Sequence, residues 1–206
     1  MIKHELNTEE KIKEAARKVF LRKGYKGATS REIASEAGQN VALTNYYFRN
    51  KEKLFQIVFK ETIEKFLNDI ISILNEQIGL KEKVRKIIER ELLVPASDPN
   101  LFAFIYSEIR NNACEYLKEL GDKKQEFLEK WSEQINDGIE KHLVRDIDPM
   151  SALTITMGHM HFPIMASSLL KEIGNFDDES YKDFLYKQKD YAIEMINNFL
   201  FPNSKT

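Results

Sequence analysis

The sequence predicts an all-α protein, with an N-terminal three-helix domain of the helix-turn-helix type joined by a long fourth helix to a larger helical domain. Apolar residues recur at i, i+3 and i+4 through nearly all of its 206 residues, with few strand-like alternations and no internal repeat. Helix-start signals stand ahead of these runs, among them Asn7 with Glu10, Thr29 with Glu32, and Asp148-Pro149. Residues 29 to 48 read as two short helices separated by a glycine turn, the pattern of a helix-turn-helix.

The first helix is capped by Asn7, carries Ile12, Ala15, Ala16, Val19 and Phe20 on one face, and stops near Gly24. Thr29 and Glu32 have capping-box spacing and start a second helix at about residue 30, with Ile33, Ala34 and Ala37 as its apolar face. Gly38 ends it in a left-handed conformation that costs other residues about 1–2 kcal/mol. Asn40 caps a third helix from about Val41 to Tyr47, too poor in apolar surface to be mainly a core element, so its exposed face suits a major groove. The fourth helix begins near Asn50 and continues through Leu54, Ile57, Val58, Phe66, Ile70, Ile73 and Leu74 toward Ile78, and Gly79 ends it. A fifth follows over Leu80 to Val94. Residues 95 to 99, with prolines at both ends, read as a break before a proline-started helix carrying Leu101, Phe102, Phe104, Ile105, Tyr106 and Ile109. Beyond Gly121 comes a helix with Phe127, Trp131, Ile135 and Ile139. Asp148-Pro149 opens one that is apolar on several faces from Leu153 to Leu170, in which Pro163 should place a kink. A last stripe, Phe184, Leu185, Ala192, Met195, Ile196 and Phe199, runs toward the C-terminus. The expected domains are residues 1–55 and 56–206.

The segments Ala15-Ala16-Arg17-Lys18-Val19-Phe20, Gly24-Tyr25, Thr29 to Gly38 and Tyr46-Tyr47-Phe48-Arg49-Asn50-Lys51-Glu52-Lys53-Leu54 resemble the TetR family of bacterial transcriptional regulators. The resemblance covers about the first quarter of the chain. Gln39 departs from it at a turn position that is usually apolar, and Thr44 stands where Leu or Ile is usual on the buried side of the third helix. It implies a DNA-binding domain followed by an effector-binding and dimerisation domain. The protein would act as a homodimer on a palindromic double-stranded operator, more as a repressor than an activator. The last two helices would form a four-helix bundle with those of a second subunit; a plain intrachain core is the other reading of their apolar faces. A small molecule bound between the helices of the larger domain would tilt the two reading helices out of register with successive major grooves.

Roles for individual residues follow from groove chemistry. Thr29, Ser30, Tyr46, Tyr47 and Lys51 match positions that touch phosphate in the family, and Lys51 also lies near a helix N-terminus that favours an anion. Tyr46 can also be read as half core. Val41, Ala42 and Asn45 lie on the leading face of the third helix, where Asn pairs with adenine and the apolar pair meets thymine methyls; Asn45 acting only as a cap or backbone contact is the alternative. The candidate effector lining is Phe102, Tyr106, Trp131, Met157, His161, Phe162 and Met165, which suits an apolar or aromatic ligand, and each of these can equally be ordinary core.

Charge supports a polyanionic partner. Residues 1–55 hold 12 Lys and Arg against 7 Asp and Glu, a net of +5, which leaves −7 for the other 151 residues of a chain whose total is −2. There is no phosphate-binding glycine loop, Gly-x-Ser-x-Gly, His-Glu-x-x-His or cysteine pair, so neither an enzyme nor a cofactor is expected. His159 and His161, two apart on a helix, diverge by about 200° and are not expected to share a metal. The lone Cys114 reads as a small buried hydrophobe. No apolar run is long enough for a bilayer and no signal peptide is evident, which leads us to expect a cytoplasmic protein with no membrane partner. A helical ligand-binding or adaptor protein, whose helix-turn-helix contacts protein instead of DNA, is the alternative reading.

Overall fold

The computed structural model describes residues 7–97, 101, 104–109, 118 and 120–202. Phe102 and Cys114 lie outside them. The described residues are helical in α1 (Thr8–Gly27), α2 (Ser30–Glu36), α3 (Val41–Phe48), α4 (Lys51–Leu74), α5 (Leu80–Ser97), α6 (residues 104–109), α7 (Gly121–Glu140), α8 (Pro149–Met165), α9 (Ser167–Gly174) and α10 (Asp178–Leu200), with no strand among them. They form two compact units, one of Met1–Phe66 with Ala103–Gly121, the other of Leu67–Phe102 with Asp122–Thr206.

In the first unit the apolar faces of α1, α2 and α4 meet in a core of Ile12, Ala16, Val19, Phe20, Ile33, Ala34, Leu54, Phe55, Val58 and Phe59. Fully burying each large apolar side chain there contributes about 1.5–3 kcal/mol. Aromatic rings knit this core together. Phe55 meets Phe20 edge-on at 5.0 Å, lies 4.8 Å from Tyr25 and stacks on Phe59 at 5.6 Å. Phe104 of α6 sits 5.8 Å from Phe55 and 5.7 Å from Phe59, so a segment distant in sequence completes the core. Within α1 Gly24 takes φ +66°, so the regular helix yields where the glycine foretold its end, and a short helical turn carries on to Gly27.

In the second unit α5, α8 and α10 pack on one another around Val84, Ile87, Ile88, Ala152, Ala192, Ile196 and Leu200. Trp131 on α7 is buried and donates its indole N–H to the Pro149 carbonyl at 2.7 Å, which ties α7 to the first residue of α8. Gln134 on α7 and Lys83 on α5 both donate to the Leu74 carbonyl, at 3.0 and 2.7 Å, and so close the C-terminal end of α4.

Two boundaries differ from the sequence reading. Helix α5 continues through Pro95 to Ser97, so the break expected at that proline is absent. The helix expected to run from 149 to 170 is broken at Ala166 (φ −90°, ψ 18°). Pro163 offers no N–H, and its carbonyl, which a continuing helix would give to Ser167, accepts the Tyr181 hydroxyl at 2.5 Å instead. The chain restarts as α9 and ends at Asn175 in a left-handed conformation.

Candidate DNA-reading interface

Local chemistry fixes the α2–turn–α3 element at both of its starts. The Thr29 hydroxyl accepts the Glu32 N–H at 3.2 Å while the Glu32 carboxylate accepts the Thr29 N–H at 3.0 Å, a complete capping box. The same carboxylate is gripped by the Lys23 ammonium from α1, and that bond, with the Thr29 hydroxyl and N–H, lowers the Glu32 acid to about 2 from its ordinary 4.5. Gly38 has φ +64°, and the Gln39 N–H returns to the Ala34 carbonyl at 2.8 Å, a helix-ending bond that only such a residue permits. Asn40 then caps α3 by accepting the Leu43 N–H at 2.8 Å.

Helix α3 buries Thr44, at 3% exposure, and Phe48. The Thr44 hydroxyl is satisfied by the Asn40 carbonyl at 3.3 Å, which explains how a threonine stands where a larger aliphatic is usual. Of the candidate base readers, Val41 is half-buried while Ala42 and Asn45 are exposed, and the Asn45 side chain makes no capping bond. Tyr46 is 80% exposed, so the half-core reading does not hold, and its ring leans edge-on against Tyr47 at 5.4 Å. Thr29 is exposed and Ser30 half-buried at the start of α2.

Lys51 is placed differently from a free phosphate ligand. Its ammonium donates to the carbonyls of Tyr25 at 2.8 Å and Ala28 at 2.9 Å and lies 4.3 Å over the Tyr25 ring. One of its three donors is left. Sequence reasoning passed over Arg49, which follows α3 with φ 63° and ψ −52° while the Asn50 N–H reaches the Phe48 carbonyl at 2.7 Å. This is a γ-turn of the rarer, strained hand, and it leaves Arg49 exposed at the end of the reading helix. Its signal was a cation between two recognised motif residues. Arg31, on the exposed side of α2, is a second such cation.

Of the candidate effector lining, Trp131 and His161 are buried and Met157 half-buried in the second unit, and Tyr106 is half-buried in the first. The His161 imidazole meets the fully buried Glu91 carboxylate at 2.6 Å, joining α8 to α5. Phe162 and Met165 point outward. They begin a run of exposed apolar side chains that continues with Leu169 and Ile173 on α9, and α10 exposes a second run, Tyr191, Met195 and Phe199. Among the described residues no helix is long and apolar enough to cross a membrane, and no cluster of metal-ligating side chains occurs.

The model of the bacterial regulatory proteins of the tetR family matches residues 12–58. Over 143 residues, 60% of this chain and 69% of the relative, the sequence is 32% identical to the HTH-type transcriptional regulator YttP of Bacillus subtilis. The protein belongs to the TetR family. It is a DNA-binding transcriptional regulator and not an enzyme. A second TetR-type relative, the fatty acid metabolism regulator protein of Bacillus subtilis, is 25% identical over 135 residues, 66% of this chain and 70% of its own. The TetR fold extends through the described helices. The transcriptional regulator FadR from Bacillus subtilis, solved in complex with stearoyl-CoA, superimposes with a TM-score of 0.68 over 91% of this chain and 96% of its own, at 21% identity.

Proposed function

We propose that this TetR-family regulator is a repressor that binds a palindromic operator as a homodimer and leaves it when a small apolar ligand fills the second unit. The observation that carries the DNA-reading part is the uncovered face of α3, where Ala42, Asn45 and Tyr46 stand exposed on a helix capped at its start and anchored by Thr44 and Phe48. We assign base contacts to Val41, Ala42 and Asn45, and phosphate contacts to Thr29, Ser30, Tyr46 and Tyr47, with Arg49 and Arg31 added. Lys51 is assigned to holding the turn after α1, because two of its donors are already engaged there. The domain boundary is placed accordingly within α4, with residues 1–55 as the reading domain.

The uncovered apolar runs on α8, α9 and α10 support dimerisation through this face, and Phe162 and Met165 are assigned to it instead of to the effector pocket. The ligand lining is then drawn from Trp131, Met157 and His161, all of the second unit. FadR supplies the ligand class to try: an acyl chain carried on coenzyme A, whose apolar tail suits aromatic and thioether walls.

Fluorescence anisotropy of the purified protein on the DNA upstream of its own gene and on a scrambled duplex, across a salt series and then with stearoyl-CoA, tests the proposal. We expect salt-steep binding to the upstream DNA alone, reversed by stearoyl-CoA and not by free coenzyme A. Equal weak binding to both duplexes would overturn the operator reading. Tight binding indifferent to stearoyl-CoA would overturn the ligand class.

A further inference from the structure

The backbone of Tyr25 is held on both sides of its Cα. Its N–H donates to the Glu108 carboxylate of α6 at 3.2 Å, and its carbonyl accepts the Lys51 ammonium at 2.8 Å. Gly24 lies beside the first contact: a Cβ built there would stand 3.7 Å from the same Glu108 oxygen, an ordinary contact distance, so it is the φ of +66° that calls for glycine. Lys51 also holds the Ala28 carbonyl, one residue before Thr29, the cap of α2. It is itself the first residue of α4, directly after the strained turn that ends α3. The end of α1, the start of α2 and the α3–α4 junction thus meet around the backbone of one residue, Tyr25.

Glu108 is an unusual residue to find at such a point. It is only 8% exposed, and the Tyr25 N–H is its one hydrogen-bond donor among the described residues. A buried carboxylate is costly to maintain, and an apolar side chain would pack there more cheaply. What the carboxylate adds is a fixed direction: it ties α6 to the N–H of the residue whose carbonyl Lys51 ties to α4, while Phe104, one helical turn earlier, seats α6 on Phe55 and Phe59. The segment Ala103–Gly121 is flanked in sequence on both sides by chain of the second unit, so the reading unit is closed by a piece of chain that lies outside the helix-turn-helix motif.

We infer that Glu108 is a positioning residue for DNA binding, acting with Lys51 as a two-sided clamp on the Tyr25 backbone that sets where the N-termini of α2 and α4 stand. The inference rests on the DNA-reading part of the proposed function. On this inference neither clamp residue acts by touching phosphate, so loss of the clamp lowers affinity for every sequence without removing a counterion from the salt dependence.

The experiment uses the full-length chain, ¹⁵N-labelled, as wild type, Glu108→Gln, Glu108→Ala, Lys51→Met and the Glu108→Ala/Lys51→Met double variant. The Tyr25 amide resonance is read first, then anisotropy on the upstream DNA across a salt series. In Glu108→Ala the Tyr25 amide moves and binding weakens about fivefold to tenfold with the salt slope unchanged. Glu108→Gln keeps an acceptor oxygen and stays within about twofold of wild type. The double variant loses no more than the worse single one, because the two residues act through the backbone of one residue. An unmoved Tyr25 amide in Glu108→Ala, or additive losses in the double variant, would overturn the clamp. So would a salt slope lowered by about one in Lys51→Met, which would return Lys51 to the phosphates. If the wild type ignores the upstream DNA, that counts against the operator reading alone, and the Tyr25 amide still decides the clamp.

Discussion

The two units of the protein both leave large side chains in water, and they leave different kinds. In the reading unit the exposed rings are tyrosines: Tyr46 and Tyr47 end in hydroxyls that stay hydrogen-bonded on a wet, charged partner. The second unit exposes two tyrosines as well, Tyr186 and Tyr191, but most of its exposed large side chains carry no polar end, among them Phe162, Met165, Leu169, Met195 and, at 69% exposure, Ile173, and these gain nothing from a hydrated polyanion. The chemistry of what is left uncovered supports the partners proposed above: a nucleic acid for the first unit, a dry protein surface for the second. The buried polar groups do not divide between the units. Each unit has both kinds: Thr44 and Thr156 bond back within their own helices, whereas Glu108 joins α6 to Tyr25 in the reading unit and Glu91 and His161 join α5 to α8 in the other, so that the likeness inside sharpens the contrast outside.

If the apolar runs are a dimer seam, charging them should have the largest effect of any change. Met195→Glu with Ile173→Asp is expected to yield a folded monomer by sedimentation velocity. Operator affinity should fall on the order of a hundredfold, since two linked half-site contacts become one. A dimer that survives the double substitution would move the seam elsewhere and erase the contrast between the units.

Next in size is Asn45→Ala. A good bidentate contact carries about 1–3 kcal/mol of discrimination, so anisotropy on duplexes varied one base pair at a time should show preference collapsing at a single position of each half-site. A uniform loss on cognate and scrambled DNA would reassign Asn45 to the backbone.

How much of this was legible in the sequence follows from how local each feature is. Caps and turns depend on residues within four positions, so Asn7, Thr29, Asn40, Gly38 and Asp148 could be placed by spacing alone, and each performs the expected bond or backbone conformation. Pro163 was legible as a disturbance, but not the break at Ala166, because the Tyr181 hydroxyl that takes the freed carbonyl comes from 18 residues away. Lys51 showed the same limit: its place before a helix suggested an anion, whereas its partners are carbonyls 26 and 23 residues earlier in the chain. Glu108 carried no sequence signal at all, because one glutamate in a helical pattern reads as solvated until the fold sets it against Gly24. The outward turn of Phe162 and Met165 was hidden because a helix apolar on several faces does not reveal which face its own chain covers.

Gly38→Ala should act on the reading unit alone. At φ +64° an alanine meets no atom within 4 Å of its Cβ, so the cost is backbone strain without a clash, about 1–2 kcal/mol. Urea unfolding followed by amide resonances should show α2 and α3 destabilised by that amount while α8 and α10 are unchanged. An equal loss in both units would mean that they unfold as one cooperative block.

The smallest effect is an acid one, and it distinguishes the units by which carboxylate is protonated. The Glu32 acid is lowered to about 2 by the Lys23 ammonium and then by the Thr29 hydroxyl and N–H, against an ordinary 4.5. A folded-state value below the unfolded one gives stability that is complete above pH 4.5 and is lost as pH falls through about 2. Asp148 and Asp177, capping α8 and α10, are lowered too, each by its bonds to Ser151 and Ser180 respectively, so acid loosens helix starts in both units. Glu32→Gln separates them. It should abolish the part of the pH dependence seen in the amide exchange of α2 between pH 4.5 and 2, and leave that of α8 and α10 as in the wild type. Glu32 is exposed, so solvent screens the ion pair with Lys23 and the difference should shrink further in 0.5 M salt. If the α2 amides of Glu32→Gln keep the wild-type acid profile, the capping box holds by its backbone bonds alone and the Lys23 link contributes nothing to the frame that presents α3.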